Sequence, residues 1–157
     1  MGIIRKFMNI IKKLIFKMAF LPLYYITSER LIVTGPSMEP TFIDGHSVFL
    51  SKIYYKFNKV QFNDVVVISN TNNDRIDIKR IIGLPKDIFS ISEDSLLING
   101  TKLIDSKFFY TTKNKDHELN FVLGRDEYFV LGDNYIHSND SRHYGPVNKK
   151  QIIGKVL

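Results

Sequence analysis

The stretch Leu96-Leu-Ile-Asn-Gly-Thr-Lys-Leu-Ile104 decides the fold. Asn-Gly supplies the two left-handed residues that a two-residue hairpin turn requires, and apolar runs flank it on both sides. Residues 96–104 therefore read as two antiparallel strands joined at Asn99-Gly100. Outward from this hairpin, short β-branched and apolar runs recur at 31–34, 47–51, 64–69, 76–82, 88–91, 121–123, 128–131 and 152–157. Polar breaks at 70–74 and 111–117 read as loops, and 51–58 reads as a turn or a short helical piece. No internal repeat or low-complexity tract interrupts the pattern. The expected fold is mostly β: a single compact antiparallel β domain over 29–157, preceded by an N-terminal helix over 1–28.

At 157 residues and 44% hydrophobic, the chain is about one domain long and able to bury a core. The absence of Cys excludes a disulfide scaffold, a thiol nucleophile and a cysteine metal site. The net charge of +6 is unevenly placed. Residues 1–30 hold Arg5, Lys6, Lys12, Lys13, Lys17 and Arg30 against Glu29 alone, which accounts for five of the six charges. The remainder is nearly neutral, which argues against a nucleic-acid-binding face.

On a helix, Arg5, Lys6, Asn9, Lys12, Lys13 and Lys17 share one face, and Ile3, Ile4, Phe7, Ile11, Leu14, Ile15 and Met18 the other. This basic amphipathic pattern suits a lipid bilayer. The most apolar part, 18–26, is nine residues, whereas a span takes about 20. Either 7–26 cross the bilayer with snorkelling lysines, or 1–20 lie in its interface while 18–26 dip inward. The flanking lysines would keep the N-terminus cytoplasmic. A plain surface helix of a soluble domain is the competing reading. A cleaved secretory signal fits poorly, because Ala19 is the only Ala and no small-x-small site is present. A mitochondrial presequence fits the amphipathicity but lacks the expected Ser and Arg.

Three segments depart from ordinary β patterning. In Thr34-Gly-Pro-Ser-Met-Glu-Pro-Thr41, a Gly and two prolines fix the backbone around Ser37, which presents its hydroxyl. A plain turn serine would look the same. In Asp77-Ile-Lys-Arg-Ile-Ile-Gly-Leu-Pro-Lys-Asp87, adjacent Lys79 and Arg80 must face opposite sides of a strand. One of them meets the core or a cleft, where a buried lysine loses its proton more readily and becomes a general base. The competing reading is an edge strand with both cations in water. The third, Gly132-Asp-Asn-Tyr-Ile-His-Ser-Asn-Asp-Ser-Arg-His-Tyr-Gly-Pro-Val147, needs internal hydrogen bonds to be ordered, and Asp140 with Arg142 offers an ion pair. It also reads as a surface turn cluster or a cation-binding loop. His46, His117, His137 and His143 lack metal-ligand spacing, so neither metal nor cofactor is expected.

Together, in order, these segments resemble the motifs of type I signal peptidases over roughly 30–157: Gly35-x-Ser37-Met38-x-Pro40-Thr41, Lys79-Arg80-x-x-Gly83-x-Pro85-x-Asp87, and Gly132-Asp133-Asn134-x-x-x-Ser138-x-Asp140-Ser141-Arg142-x-x-Gly145. The resemblance implies a membrane-anchored serine endopeptidase that cuts signal peptides of exported preproteins after small-x-small sequences. It implies Ser37 as nucleophile, Lys79 as general base and the Ser37 amide as oxyanion donor. A second oxyanion donor, a hydroxyl in some members, has Gly35 in its place. Ser138 resembles the residue that orients the lysine, Asp140 and Arg142 a supporting ion pair, and Asp133 and Asn134 structural members of that loop. Val33, Met38, Phe42, Val48 and Ile78 match positions that line shallow apolar subsites, and an extended substrate would pair with the strand edge near 77–78.

Lys86 replaces the Gly usual before Asp87, and His46 the Asp often found after Gly45. The length leaves no room for the large extra β domain of many relatives. A self-cleaving Ser-Lys repressor needs an internal Ala-Gly or Cys-Gly bond, which is absent. A specialised maturation peptidase of the same family, of conjugative-transfer or mitochondrial inner-membrane type, would differ only in client and compartment. An inactive membrane-tethered β module would have no reason to keep both Ser37 and Lys79. The implied location is the bacterial inner membrane with the catalytic domain outside, or alternatively the mitochondrial inner membrane.

Overall fold

Asn99 and Gly100 adopt φ of 51° and 76°, so the hairpin turn is the left-handed pair that its sequence predicts. A computed structural model describes residues 6–8, 11–12, 15, 27–70, 75–92, 95–105 and 119–157. In chain order the elements are β1 (Glu29–Ile32), β2 (Ser47–Ser51), α1 (Tyr54–Phe57), β3 (Val65–Asn70), β4 (Arg75–Gly83), β5 (Ile88–Ser92), β6 (Ser95–Ile98), β7 (Thr101–Asp105), β8 (Leu119–Val122), β9 (Glu127–Leu131), α2 (Ser141–Tyr144), β10 (Val147–Asn148) and β11 (Ile152–Val156). The strands pair antiparallel throughout. One sheet runs β1-β2-β11-β3-β4-β9-β10, the other β7-β6-β5-β8.

The mostly β architecture agrees with the sequence reading, and 51–58 resolves into the short helix α1. The expected helix over 1–28 falls largely outside the described residues. The described positions from 6 to 15 are helical and exposed, and among the described residues no helix is long and apolar enough to cross a membrane. The expected loop at 111–117 also lies outside the described residues, as do positions 71–74 of the other.

The two sheets share one apolar core. Ile82 of β4 and Phe129 and Leu131 of β9 pack with Phe89 of β5, Leu96 of β6 and Leu123. Phe89 stacks on Phe121 at 5.2 Å and meets Phe129 at 4.6 Å. Gly83 permits this closeness: a Cβ there would lie 2.4 Å from the buried Phe89 ring. Beside it the β4–β9 register shifts between Ile81 and Gly83, a bulge that bends β4 from one sheet toward the other.

Asp87 closes the β4–β5 turn by accepting from the Leu84 N–H at 2.7 Å and from the Asn99 side-chain amide at 2.9 Å. In the same turn Lys86 has φ of 76°, and its N–H donates to the Leu123 carbonyl. A side chain in the left-handed region is strained by its Cβ, and Gly is free of that strain. The departure from the usual Gly is thus a local cost. Lys86→Gly is expected to raise unfolding stability by about 0.5–1 kcal/mol, read as a higher denaturation midpoint at unchanged slope.

Candidate active site

The segment after β1 reverses direction around Ser37. The Gly35 N–H donates to Asp44 Oδ1 at 2.7 Å and the Phe42 N–H to the Met38 carbonyl at 2.9 Å, closing a compact turn. Gly35 takes φ of 82°, which only Gly adopts without strain. The Ser37 carbonyl accepts from the Asn134 N–H at 3.0 Å, so loop 132–146 clamps this turn from the other side. Among the described residues the Ser37 N–H has no acceptor.

β4 brings the lysine. Lys79 opposes Val66 of β3 and is 3% exposed. Its Nζ donates to Ser37 Oγ at 3.1 Å and to the Ile78 carbonyl at 3.0 Å. Burial pushes its pKa below the ordinary lysine value, against an opposing pull from Asp77 and Asp140. The edge strand with two solvated cations is excluded. Arg80 turns to the opposite face and pairs in fork geometry with Asp133, at 2.8 and 2.6 Å. Arg80 also donates to the Asn63 carbonyl at 3.1 Å.

Loop 132–146 is ordered by a buried ion pair. The Asp140 and Arg142 side chains are 0% and 1% exposed, and Arg142 Nε meets Asp140 Oδ1 at 2.8 Å. Asp140 also accepts from the Gly132 N–H at 3.0 Å and caps α2, while Arg142 donates to the Tyr135 carbonyl at 2.7 Å. The charges are compensated by this dense bonding, so the loop is not a plain surface turn. Gly132 marks the closest approach: a Cβ there would lie 2.2 Å from Ser138 Oγ and 2.4 Å from the Ser37 carbonyl oxygen. Ser138 is therefore beside Ser37. Its Oγ is buried without a hydrogen-bond partner among the described residues, so the expected bond to Lys79 is not made in this structure.

Of the expected subsite residues, Val33, Phe42, Val48 and Ile78 fall in one apolar cluster with Leu50 and Val67, next to the Ser37 turn. Val33 and Val48 are buried in it, while Phe42 and Ile78 are half-buried; Met38 is buried too but is not part of this cluster. β9 joins β4 only from Arg80 onward, so residues 75–79 have β3 as their sole strand neighbour among the described residues. That edge borders the Ser–Lys pair. Among the described residues no group of His, Cys, Asp and Glu is placed to hold a metal.

Sequence reasoning missed Asp44, Asn63 and the hydroxyl of Thr41, which hydrogen-bonds Asp133. Each is an ordinary turn residue whose partner is set by the tertiary fold. Thr41 stands in the first motif, but nothing there marks its hydroxyl as a partner of Asp133.

This arrangement, a buried lysine amine against a serine hydroxyl on a β scaffold, defines a Ser–Lys hydrolase site. The chain matches the family described as "Signal peptidase, peptidase S26" over residues 5–157 and belongs to that family. It is 34% identical to "Signal peptidase I V" of Bacillus subtilis (strain 168), covering 79% of this chain and 80% of that protein. It is 36% identical to "Signal peptidase I" of Bacillus caldolyticus, covering 82% and 76%. A crystal structure of a signal peptidase I from Enterococcus faecalis V583, 29% identical, covers 64% of this chain and 97% of that one with a TM-score of 0.49.

Although burial opposes its charge, the Asp133 carboxylate is held below the usual aspartate range by bonds from Arg80 and Thr41. A depressed acid stabilises the fold above its unfolded pKa of 3.8 and loses that contribution as pH falls through its folded value. Asp133→Asn is expected to cost about 1–3 kcal/mol at pH 7. The difference from wild type should shrink steadily as pH falls below 3.8 in paired denaturation curves.

Proposed function

We propose that this chain is a membrane-attached signal peptidase that cleaves the signal peptides of preproteins, with Ser37 as nucleophile and Lys79 as general base. The observation that carries the reading is the 3.1 Å contact between Ser37 Oγ and a lysine amine that is almost wholly out of water. Neutral Lys79 donates one N–H to the Ile78 carbonyl, which turns its lone pair toward the Ser37 hydroxyl. Ser37 Oγ attacks the scissile carbonyl as its proton passes to Lys79 Nζ. The resulting oxyanion is stabilised by the Ser37 N–H. Asn134 holds the next peptide plane, through the Ser37 carbonyl, and so braces the turn that presents this N–H. Lys79 then gives its proton to the leaving amine, and an acyl-enzyme remains. The mature chain has by then left as the free amine; water, deprotonated by Lys79, adds to the ester carbonyl, the bond to Ser37 Oγ breaks as Lys79 returns the proton to that oxygen, and the signal peptide departs as an acid.

The substrate backbone adds to the edge of β4 at 75–79, with small side chains over the cluster of Val33, Phe42, Val48 and Ile78. Asp140, Arg142 and the Arg80–Asp133 pair hold loop 132–146 against Ser37 and so position rather than react. Ser138, buried beside Gly132 with its hydroxyl unpartnered, is the residue we assign to steady the lysine. The basic N-terminal segment attaches the enzyme to a bilayer, and the bacterial source of the similar proteins favours a bacterial membrane over a mitochondrial one.

Cleavage of a preprotein ending its signal in Ala-x-Ala tests the assignment. Ser37→Ala should lower the rate by about 10⁶-fold and Lys79→Ala by about 10²–10⁴-fold, both remaining folded. The wild-type rate should rise with pH through a limb below the ordinary lysine value of 10.5, because only the neutral amine accepts the proton. Cleavage that survives Lys79→Ala overturns the choice of base. Gly132→Ala, whose methyl would strike the Ser37 carbonyl, should abolish most turnover even in protein that retains its β-sheet circular dichroism.

A further inference from the structure

β9 fills the edge of β4 from Arg80 onward, with Leu131 opposite Arg80 and Val130 opposite Ile81. A substrate strand laid on residues 75–79 therefore meets the end of β9 just beyond Lys79 and can follow the edge no further. Past the scissile bond its chain must rise off the sheet. It leaves between the Ser37 turn and the segment that continues β9, residues 132–138. The two are tied together at that exit, where the Asn134 N–H donates to the Ser37 carbonyl at 3.0 Å.

Bonds brace this segment on both sides of Ile136. Arg80 forks onto Asp133 at 2.8 and 2.6 Å, and Arg142 donates to the Tyr135 carbonyl at 2.7 Å. The His137 N–H donates to the Asn134 carbonyl at 3.1 Å, and His137 Nδ1 lies 3.2 Å from Asn134 Oδ1. Between them the Ile136 side chain is 64% exposed, more than any other large apolar side chain among the described residues. An exposed Ile on an open surface would need no explanation. This one stands on a fixed turn, at most about 7 Å of chain from Asn134. An extended substrate advances about 3.3 Å per residue, which brings its second or third residue after the cut alongside Ile136.

We infer that Ile136 is a specificity-determining residue: it offers an apolar contact to the second or third residue of the mature chain, so that preproteins with an apolar side chain there are cleaved faster. This rests on the substrate path proposed along β4. Selection then acts on the released protein as well as on its signal. Covering roughly 40 Å² of apolar surface would favour the apolar substrate about fivefold.

Two substrates competing in one reaction give the ratio of their kcat/KM values directly. The full-length chain in lipid would receive two preprotein peptides whose signals end in Ala-x-Ala. They would differ only in Leu against Ser at the second, or at the third, mature position, and product masses would identify the cut. Wild type should favour Leu about fivefold at one of these positions. Ile136→Ser should bring that ratio close to one. Ile88→Ser, which alters an Ile of β5 that is 55% exposed, should keep the wild-type ratio. With Asp in place of Ser, Ile136→Lys should favour the Asp peptide over the Leu peptide. A purely structural Ile136 would lower both rates together and preserve the ratio in Ile136→Ser, which overturns the inference. A wild-type ratio near one at both positions also overturns it. Failure of wild type to outpace Ser37→Ala on every peptide overturns the proposed function itself, and the inference with it.

Discussion

The structure depends on keeping one lysine amine out of water. In solution Lys79 would be a cation, unable to take a proton from serine. Within β4 it faces inward beside the Ser37 turn, and desolvation counts against its charge. Asp77 and Asp140 pull the other way, so the site is a balance in which burial dominates. That balance requires water to be excluded from a strand whose other edge is left uncovered. The apolar cluster on one side and the clamped loop 132–146 on the other meet both demands.

The loop is polar throughout, yet its core is nearly dry. Asp140 is fully compensated by Arg142, the Gly132 N–H and the cap of α2. Removing one partner of such a pair is far more damaging than its net contribution suggests, since the other charge stays buried. The Arg80–Asp133 pair performs the matching task on the opposite face of β4. Adjacent residues of a single strand thereby do different work: Lys79 meets the Ser37 hydroxyl, and Arg80 fastens the loop that presses on that turn.

Much of this was legible in the sequence. The Asn99-Gly100 hairpin, the alternating apolar runs and the three motif segments mark the β architecture and the groups that converge at the site. Period-two alternation requires Lys79 and Arg80 to diverge, but it does not say which one turns inward, because that depends on the register with β3 and β9. The division into two sheets was hidden for a similar reason. It turns on the bulge between Ile81 and Gly83 and on a glycine that admits the Phe89 ring. The first strand runs Glu29–Ile32 rather than 31–34, since Val33 and Gly35 are drawn into bonds with His46 and Asp44. The partnership of Arg80 with Asp133 spans 53 positions and has no local signature.

On the proposed reading, the uncovered edge of β4 acts as a conformational filter. Five residues of extended chain reach about 16 Å, whereas the same five in a helix rise about 7.5 Å and keep their amides bonded internally. A helical stretch offers this edge neither the right repeat nor any spare donors. A helix-forming apolar segment held in a bilayer would thus stay invisible to the edge, however small its side chains. Only where the chain unwinds does it present a readable backbone, so local melting of the substrate comes before recognition of its side chains.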